Sequence, residues 1–356
     1  MEQTKDVNRI KKVNMVFLVS MILSVTVSFL PLDFIAARPV LQIVFSQAIL
    51  VLPSIIYMFR FRLSFTETVG FKKLRFGDMA LSILFAILIQ PLMTLLNAIS
   101  MSFAVNTTGT FILELTQSVS FLPALFLVAF LPCVLEESVY RGVFYNEYSK
   151  INPWKAALLS GFLFGLAHGN INQFTYAMVM GFLFALLNTA TGSLLSSMLV
   201  HFWINASSVV MVYLYPKLYE VAQAFYRMYK EYGNEEMATM LEQAMGDMSL
   251  PSGEWMRQMM EASTQLDLPL DVILQLYAPQ ALIMSVAAFF VYKKLAERNG
   301  NWINICNSFR KKPVTDMELL QEESKGKVRM ITPSLVVAIL IGIAFMIFYE
   351  YVSRMA

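Results

Sequence analysis

The chain alternates between long apolar stretches and short polar joints. Nine stretches stand out, at about 14–32, 40–59, 79–101, 118–143, 154–168, 172–190, 193–215, 278–291 and 333–352. A helix needs about 20 mostly apolar residues to cross roughly 30 Å of hydrocarbon, so the pattern predicts an all-α, polytopic transmembrane bundle of about 8–9 spans. The fifth and eighth stretches are short for a full crossing. Pro123 and Pro132 interrupt the fourth, and proline breaks or kinks helices, which predicts that its spanning part runs from about 126 to 148. The first stretch follows Lys5, Arg9, Lys11 and Lys12 and precedes Ala36-Ala37. It exceeds the apolar core of a signal peptide, so it is read as an uncleaved anchor.

Composition agrees with this pattern. Hydrophobic residues are 57% and charged residues 15% of the 356, with a mean hydropathy of +0.58. Ordinary soluble domains have about 45–50% and roughly 25%, so soluble, disordered and disulfide-stapled secreted classes are excluded. The formal charge of +2 gives no basic surface for nucleic acid. Cys133 and Cys306 lie in different contexts, and no bridge between them is expected. Twenty-one of the 27 Lys and Arg fall in the N-terminal tail and in residues 60–78, 141–155 and 293–332. By the positive-inside rule these face the cytoplasm, which places the N-terminus inside and the C-terminus outside a plasma membrane of bacterial type.

Four regions follow: N-terminal transmembrane helices (1–117), a transmembrane core (118–215), an extracytoplasmic helical insertion (216–277) and C-terminal transmembrane helices with a basic cytoplasmic loop (278–356). The insertion carries ten acids and four bases. Its many methionines read as packing filler.

Polar residues inside the core carry the functional signal. From Ala156 to Tyr215 there is no Asp, Glu, Lys or Arg, yet both histidines of the chain, His168 and His201, lie there. Just upstream comes Glu136-Glu137-Ser-Val-Tyr-Arg141. An ionisable group at the bilayer centre costs about 2.5–3.5 kcal/mol on insertion scales, so such groups face a bundle interior or a watery cavity, with partners. Glu137 and Arg141 are four apart and pair on one helical face. Glu136 is offset by about 100° and points elsewhere. Phe164 and His168, and His201 and Asn205, repeat the four-residue spacing. The pattern predicts Glu136, His168, His201 and Asn205 converging on one cavity.

Hydrolysis of a peptide bond needs an activated water and donors for the developing oxyanion. Glu136 is the candidate base. His168 can share the water and later hand a proton to the leaving amine, while His201 and Asn205 can donate to the oxyanion. Zinc is the alternative, held by Glu136, His168 and His201 with water in the fourth position. The compact HExxH motif is absent, a metal-free glutamate mechanism is favoured, and no cofactor is expected. Ser138, Ser160, Ser196 and Ser197 lie near the motifs, but none is marked as a nucleophile beside a histidine.

The order Glu136-Glu137-x-x-x-Arg141, Phe164-x-x-x-His168 and His201-x-x-x-Asn205 within apolar helices resembles the CPBP intramembrane protease family, which includes type II CAAX prenyl endopeptidases and the bacteriocin-processing and self-immunity (Abi) proteins. The resemblance spans about residues 118–210; the first three spans, the acidic insertion and the last two spans lie outside it. It implies that Glu136 and His168 activate water, that His201 and Asn205 form the oxyanion hole, and that Glu137 and Arg141, with Phe164, shape the site. The expected partners are the lipid bilayer and a membrane peptide or protein substrate. A non-catalytic immunity role or proton-coupled transport through the same cluster is the competing function.

Overall fold

A computed structural model describes residues 2–62, 70–262, 268–309 and 329–355. Among these there are helices and connecting turns but no strand. The principal helices are α1 (Glu2–Ser28), α2 (Pro39–Arg60), α3 (Phe76–Met101), α4 (Thr107–Ser118), α5 (Phe121–Ser149), α6 (Pro153–Ala167), α7 (Ile171–Thr191), α8 (Leu194–Glu231), α9 (Glu235–Met245), α10 (Ser252–Ala262), α11 (Leu270–Arg298), α12 (Trp302–Phe309) and α13 (Pro333–Ser353). Eight of them, α1, α2, α3, α5, α7, α8, α11 and α13, are long and apolar enough to cross a bilayer. The all-α polytopic bundle expected from the sequence is the architecture found. Part of the basic loop 293–332, at positions 310–328, lies outside the described residues.

The fifth span is as short as the sequence predicts, while the eighth and the fourth differ from that reading. The fifth stretch forms only the 15-residue α6, about 22 Å long at 1.5 Å per residue, which is short of the hydrocarbon thickness. The eighth, expected to be short, is the 29-residue α11, because its helix extends into polar sequence at both ends. The fourth is not broken at its prolines. α5 runs through 29 residues, with wide i→i+5 turns at Phe126–Phe130 and Ser138–Tyr145. Proline's ring clashes with the carbonyl four residues back, and the wide turn just before Pro132 gives it room. Such widened turns recur at functional sites; here they bracket Leu131–Glu137, the segment that carries both glutamates.

α8 continues for 38 residues, roughly 57 Å, so position 216 falls inside a helix rather than at its end. Its distal half carries the cap formed with α9 and α10. Tyr219 stacks on Trp255 with ring centroids 4.5 Å apart, and Gln223 donates to the carbonyls of Met248 and Leu250.

The core is centred on α5, α6 and α7. Gly161 of α6 lies so close to α7 that an added Cβ would stand 2.6 Å from the Met178 carbonyl and the Phe182 nitrogen. Opposite it, a Cβ on Gly181 would meet Gly161 Cα at 2.8 Å and the Arg141 guanidinium at 2.6 Å. Small residues thus bring two backbones together, as at many intramembrane helix contacts, and leave a slot for Arg141. Overpacking a tight core costs about 1–3 kcal/mol. Gly161→Ala is therefore expected to lower the melting temperature of the detergent-purified protein; an unchanged melt would show that α6 and α7 separate freely.

Candidate active site

Glu136 and Glu137 are neighbours on α5 with different surroundings. Glu137 is fully buried, and its Oε1 accepts from Arg141 Nη1 at 2.7 Å and from His201 Nδ1 at 3.2 Å. The Arg141 guanidinium lies over Phe164 at 4.3 Å and near Phe184 at 5.2 Å. A buried cation on an aromatic face recovers part of its lost hydration through the ring quadrupole. Glu136 turns away from this pair onto a cavity of about 1470 Å³. Its Oε1 accepts from Gln47 Nε2 at 2.7 Å, and its Oε2 stands 3.9 Å from His201 Nε2.

The histidines are held by their other ring nitrogens. His168 ends α6, where its Nδ1 is 2.7 Å from the Phe164 carbonyl. A carbonyl only accepts, so Nδ1 carries the proton and a neutral His168 has its lone pair on Nε2. Phe164 meets the His168 ring edge-on at 4.8 Å. Gly169 follows with φ +65°, a left-handed conformation that glycine adopts without penalty; a Cβ there would also meet the Phe345 ring at 2.8 Å. By the same reasoning, the Glu137 carboxylate fixes a proton on Nδ1 of His201 and directs Nε2 toward Glu136. His201 sits between the rings of Phe184, at 5.3 Å, and Phe164, at 5.9 Å.

Asn205, one turn beyond His201 on α8, donates to the Val128 carbonyl at 3.1 Å. Val128 is the residue whose carbonyl Pro132, lacking an N–H, cannot bond. Asn205 thus joins α8 to α5 at the disturbed turn, and the second N–H of its amide remains for the cavity.

Glu136, His168, His201, Asn205 and Phe164 all line the one cavity, whereas Glu137 and Arg141 stand behind it. Gln47 was missed. It comes from α2, in the N-terminal part of the chain that the motif resemblance leaves out, and the available signal was an amide in the apolar stretch 40–59. The outer part of the cavity reaches Asp33 and neutral polar groups such as Gln90, Asn97, Asn106 and Gln173, and Met256 and Met259 of α10 close over it.

The four serines near the motifs are occupied elsewhere. Ser138, Ser160, Ser196 and Ser197 each donate to a backbone carbonyl. Among the described residues, no three His, Cys, Asp or Glu side chains are arranged to hold a metal ion.

The fold and the site together define a polytopic helical membrane protein with a carboxylate and two imidazoles around one open cavity. Residues 117–207 match the family described as type II CAAX prenyl endopeptidase Rce1-like, and this segment contains every motif from Glu136 to Asn205. The match, over about a quarter of the chain, bears out the resemblance to the CPBP family. No curated protein and no solved structure gives a significant match to the chain.

Proposed function

We propose that this protein is a glutamate-type intramembrane endopeptidase that hydrolyses a peptide bond of a membrane-associated peptide or protein. The observation that carries the reading is the meeting of Glu136, His168, His201 and Asn205 on one cavity, in the segment that matches the protease family. Glu136 Oε2 and His201 Nε2 are 3.9 Å apart on this cavity, so a water held by Glu136 lies beside the ring that takes the oxyanion. Glu136, assisted by the free Nε2 of His168, takes a proton from this water as its oxygen attacks the peptide carbonyl carbon. The carbonyl π electrons move onto oxygen, which accepts from the Asn205 amide and, when His201 carries a proton on both ring nitrogens, from its Nε2–H, the Nδ1–H donating to Glu137. The captured proton then passes to the amide nitrogen, the C–N bond breaks to give a carboxylic acid and an amine, and the acid proton moves to the amine as the two products leave.

The substrate class follows from the walls. The charged side chains lining the cavity among the described residues, apart from the histidines, are the acids Glu136 and Asp33, and residues 216–277 carry a net excess of six acids. Both favour a neutral or cationic peptide over an anionic one. With the N-terminus cytoplasmic, as the clustered Lys and Arg favour, the cap stands outside a bacterial plasma membrane and the peptide arrives from that side. Replacing Glu235, Glu236 and Glu242 by Gln is expected to raise KM several-fold for a cationic peptide at low ionic strength. The effect should fade as salt screens the exposed charges, and kcat should not change. Equal KM for wild type and variant at low salt would contradict a recruiting role for the cap.

The function itself is tested by comparing membranes that express the wild-type protein with membranes that express Glu136→Gln. Mass spectrometry of new peptide termini should find cuts that depend on Glu136. A proton-relay or immunity role predicts instead no new termini, and partner capture or proton uptake that survives the substitution.

A further inference from the structure

We propose that Gln47 is a positioning residue of this site, which orients the Glu136 carboxylate for the attack of water. The inference rests on the endopeptidase reading above. Gln47 lies in the middle of α2 and reaches across to α5, where its Nε2 donates to Glu136 Oε1 at 2.7 Å. A carboxylate rotates easily about its last bond, because sp³–sp² torsions are soft. One strong donor on Oε1 fixes its plane and leaves Oε2 as the atom that faces His201 Nε2. Pre-set orientation of a reacting group accounts for a large share of catalytic power, and the residue that holds it need not touch substrate.

Two further observations separate this from ordinary helix packing. An ionised carboxylate offers only acceptors, so the amide must present its nitrogen to Glu136 and turn its oxygen away. That Oε1 is buried with no protein partner, although buried acceptors are nearly always satisfied, and Gln47 lines the cavity. Water or a substrate N–H entering the cavity satisfies it. Ser54, two turns further along α2 and also buried, does not line the cavity. Gln42 and Ser46 of α2 also line the cavity, but Ser46 donates back to its own helix at Ile43 and it is Gln47 that donates to Glu136.

The test uses the full chain in proteoliposomes, with a peptide whose new terminus appears with the wild-type protein and not with Glu136→Gln. Gln47→Met keeps the length of the side chain and removes both polar atoms. Its kcat should fall by roughly tenfold to a hundredfold, the worth of a hydrogen bond to a charged group, with KM and the melting transition unchanged. Gln47→His, which keeps an N–H at similar reach, should recover most of kcat. Wild-type kcat in Gln47→Met overturns the inference, as does an equal loss in the Met and His variants. Loss of the folded transition in both Gln47→Met and Gln47→Leu assigns the residue to structure and also overturns it. If no Glu136-dependent terminus appears at all, the endopeptidase reading falls first and this inference falls with it. If such termini appear and Gln47→Met keeps its kcat, only the inference falls.

Discussion

Glu136→Gln is expected to leave a folded, membrane-inserted protein whose peptide-cleaving kcat is lower by roughly a hundredfold to ten-thousandfold, the range for a general base. The substitution keeps the shape of the side chain, and its amide oxygen can still accept from Gln47, which donates to Oε1 at 2.7 Å in the wild-type chain. What it removes is the basic lone pair facing His201 and the cavity. The neighbouring buried pair of Glu137 and Arg141 is untouched, so the melting temperature should hardly move. A fall in stability that matched the fall in activity would assign Glu136 to structure. The measurement is steady-state cleavage beside a thermal melt of the same preparation.

The second large effect concerns stability. Arg141→Met is expected to destabilise the bundle by about 3–5 kcal/mol, because it leaves Glu137 as a buried charge without its main partner. Arg141 and Glu137 have fully buried side chains joined at 2.7 Å, and Nε and Nη2 of Arg141 have no hydrogen-bond partner beyond the aromatic rings around them. The double variant Glu137→Gln, Arg141→Met removes both charges and should recover much of the loss, since a buried pair is often replaced by neutral side chains at little cost. A double-mutant cycle on melting free energies gives the coupling directly. Losses that simply add would mean that the two charges do not depend on each other. Activity should stay low in the double variant even where stability returns, because His201 Nδ1 would no longer face a carboxylate.

Much of this arrangement could be read from the sequence, and the reason is energetic. Charged and imidazole groups in apolar helices need partners, so Glu136, Glu137, Arg141, His168 and His201 announce a shared interior. The four-residue spacing then separates Glu137, paired with Arg141, from Glu136, which faces the cavity. Gln47 gave no such signal, because a neutral amide is cheap to bury and is ordinary glue between membrane helices. The continuity of α5 was also hidden. Pro132 argues for a break, and only the wide turn before it, together with Asn205 bonded to the Val128 carbonyl, lets the helix continue. The length of α8 escaped for a different reason: beyond Tyr215 its sequence becomes polar while remaining helix-forming, so hydropathy marks where the lipid ends and not where the helix does.

The central claim is that Glu136 and His168 act on one water. Cleavage rates of Glu136→Gln, His168→Ala and the double variant, measured in proteoliposomes on one peptide, test it most directly. Groups that work as a unit lose their effect together, so the double variant should be no slower than the worse single one. A double variant slowed by the product of the two single effects would contradict joint action, and single variants that cut at the wild-type rate would contradict the site itself.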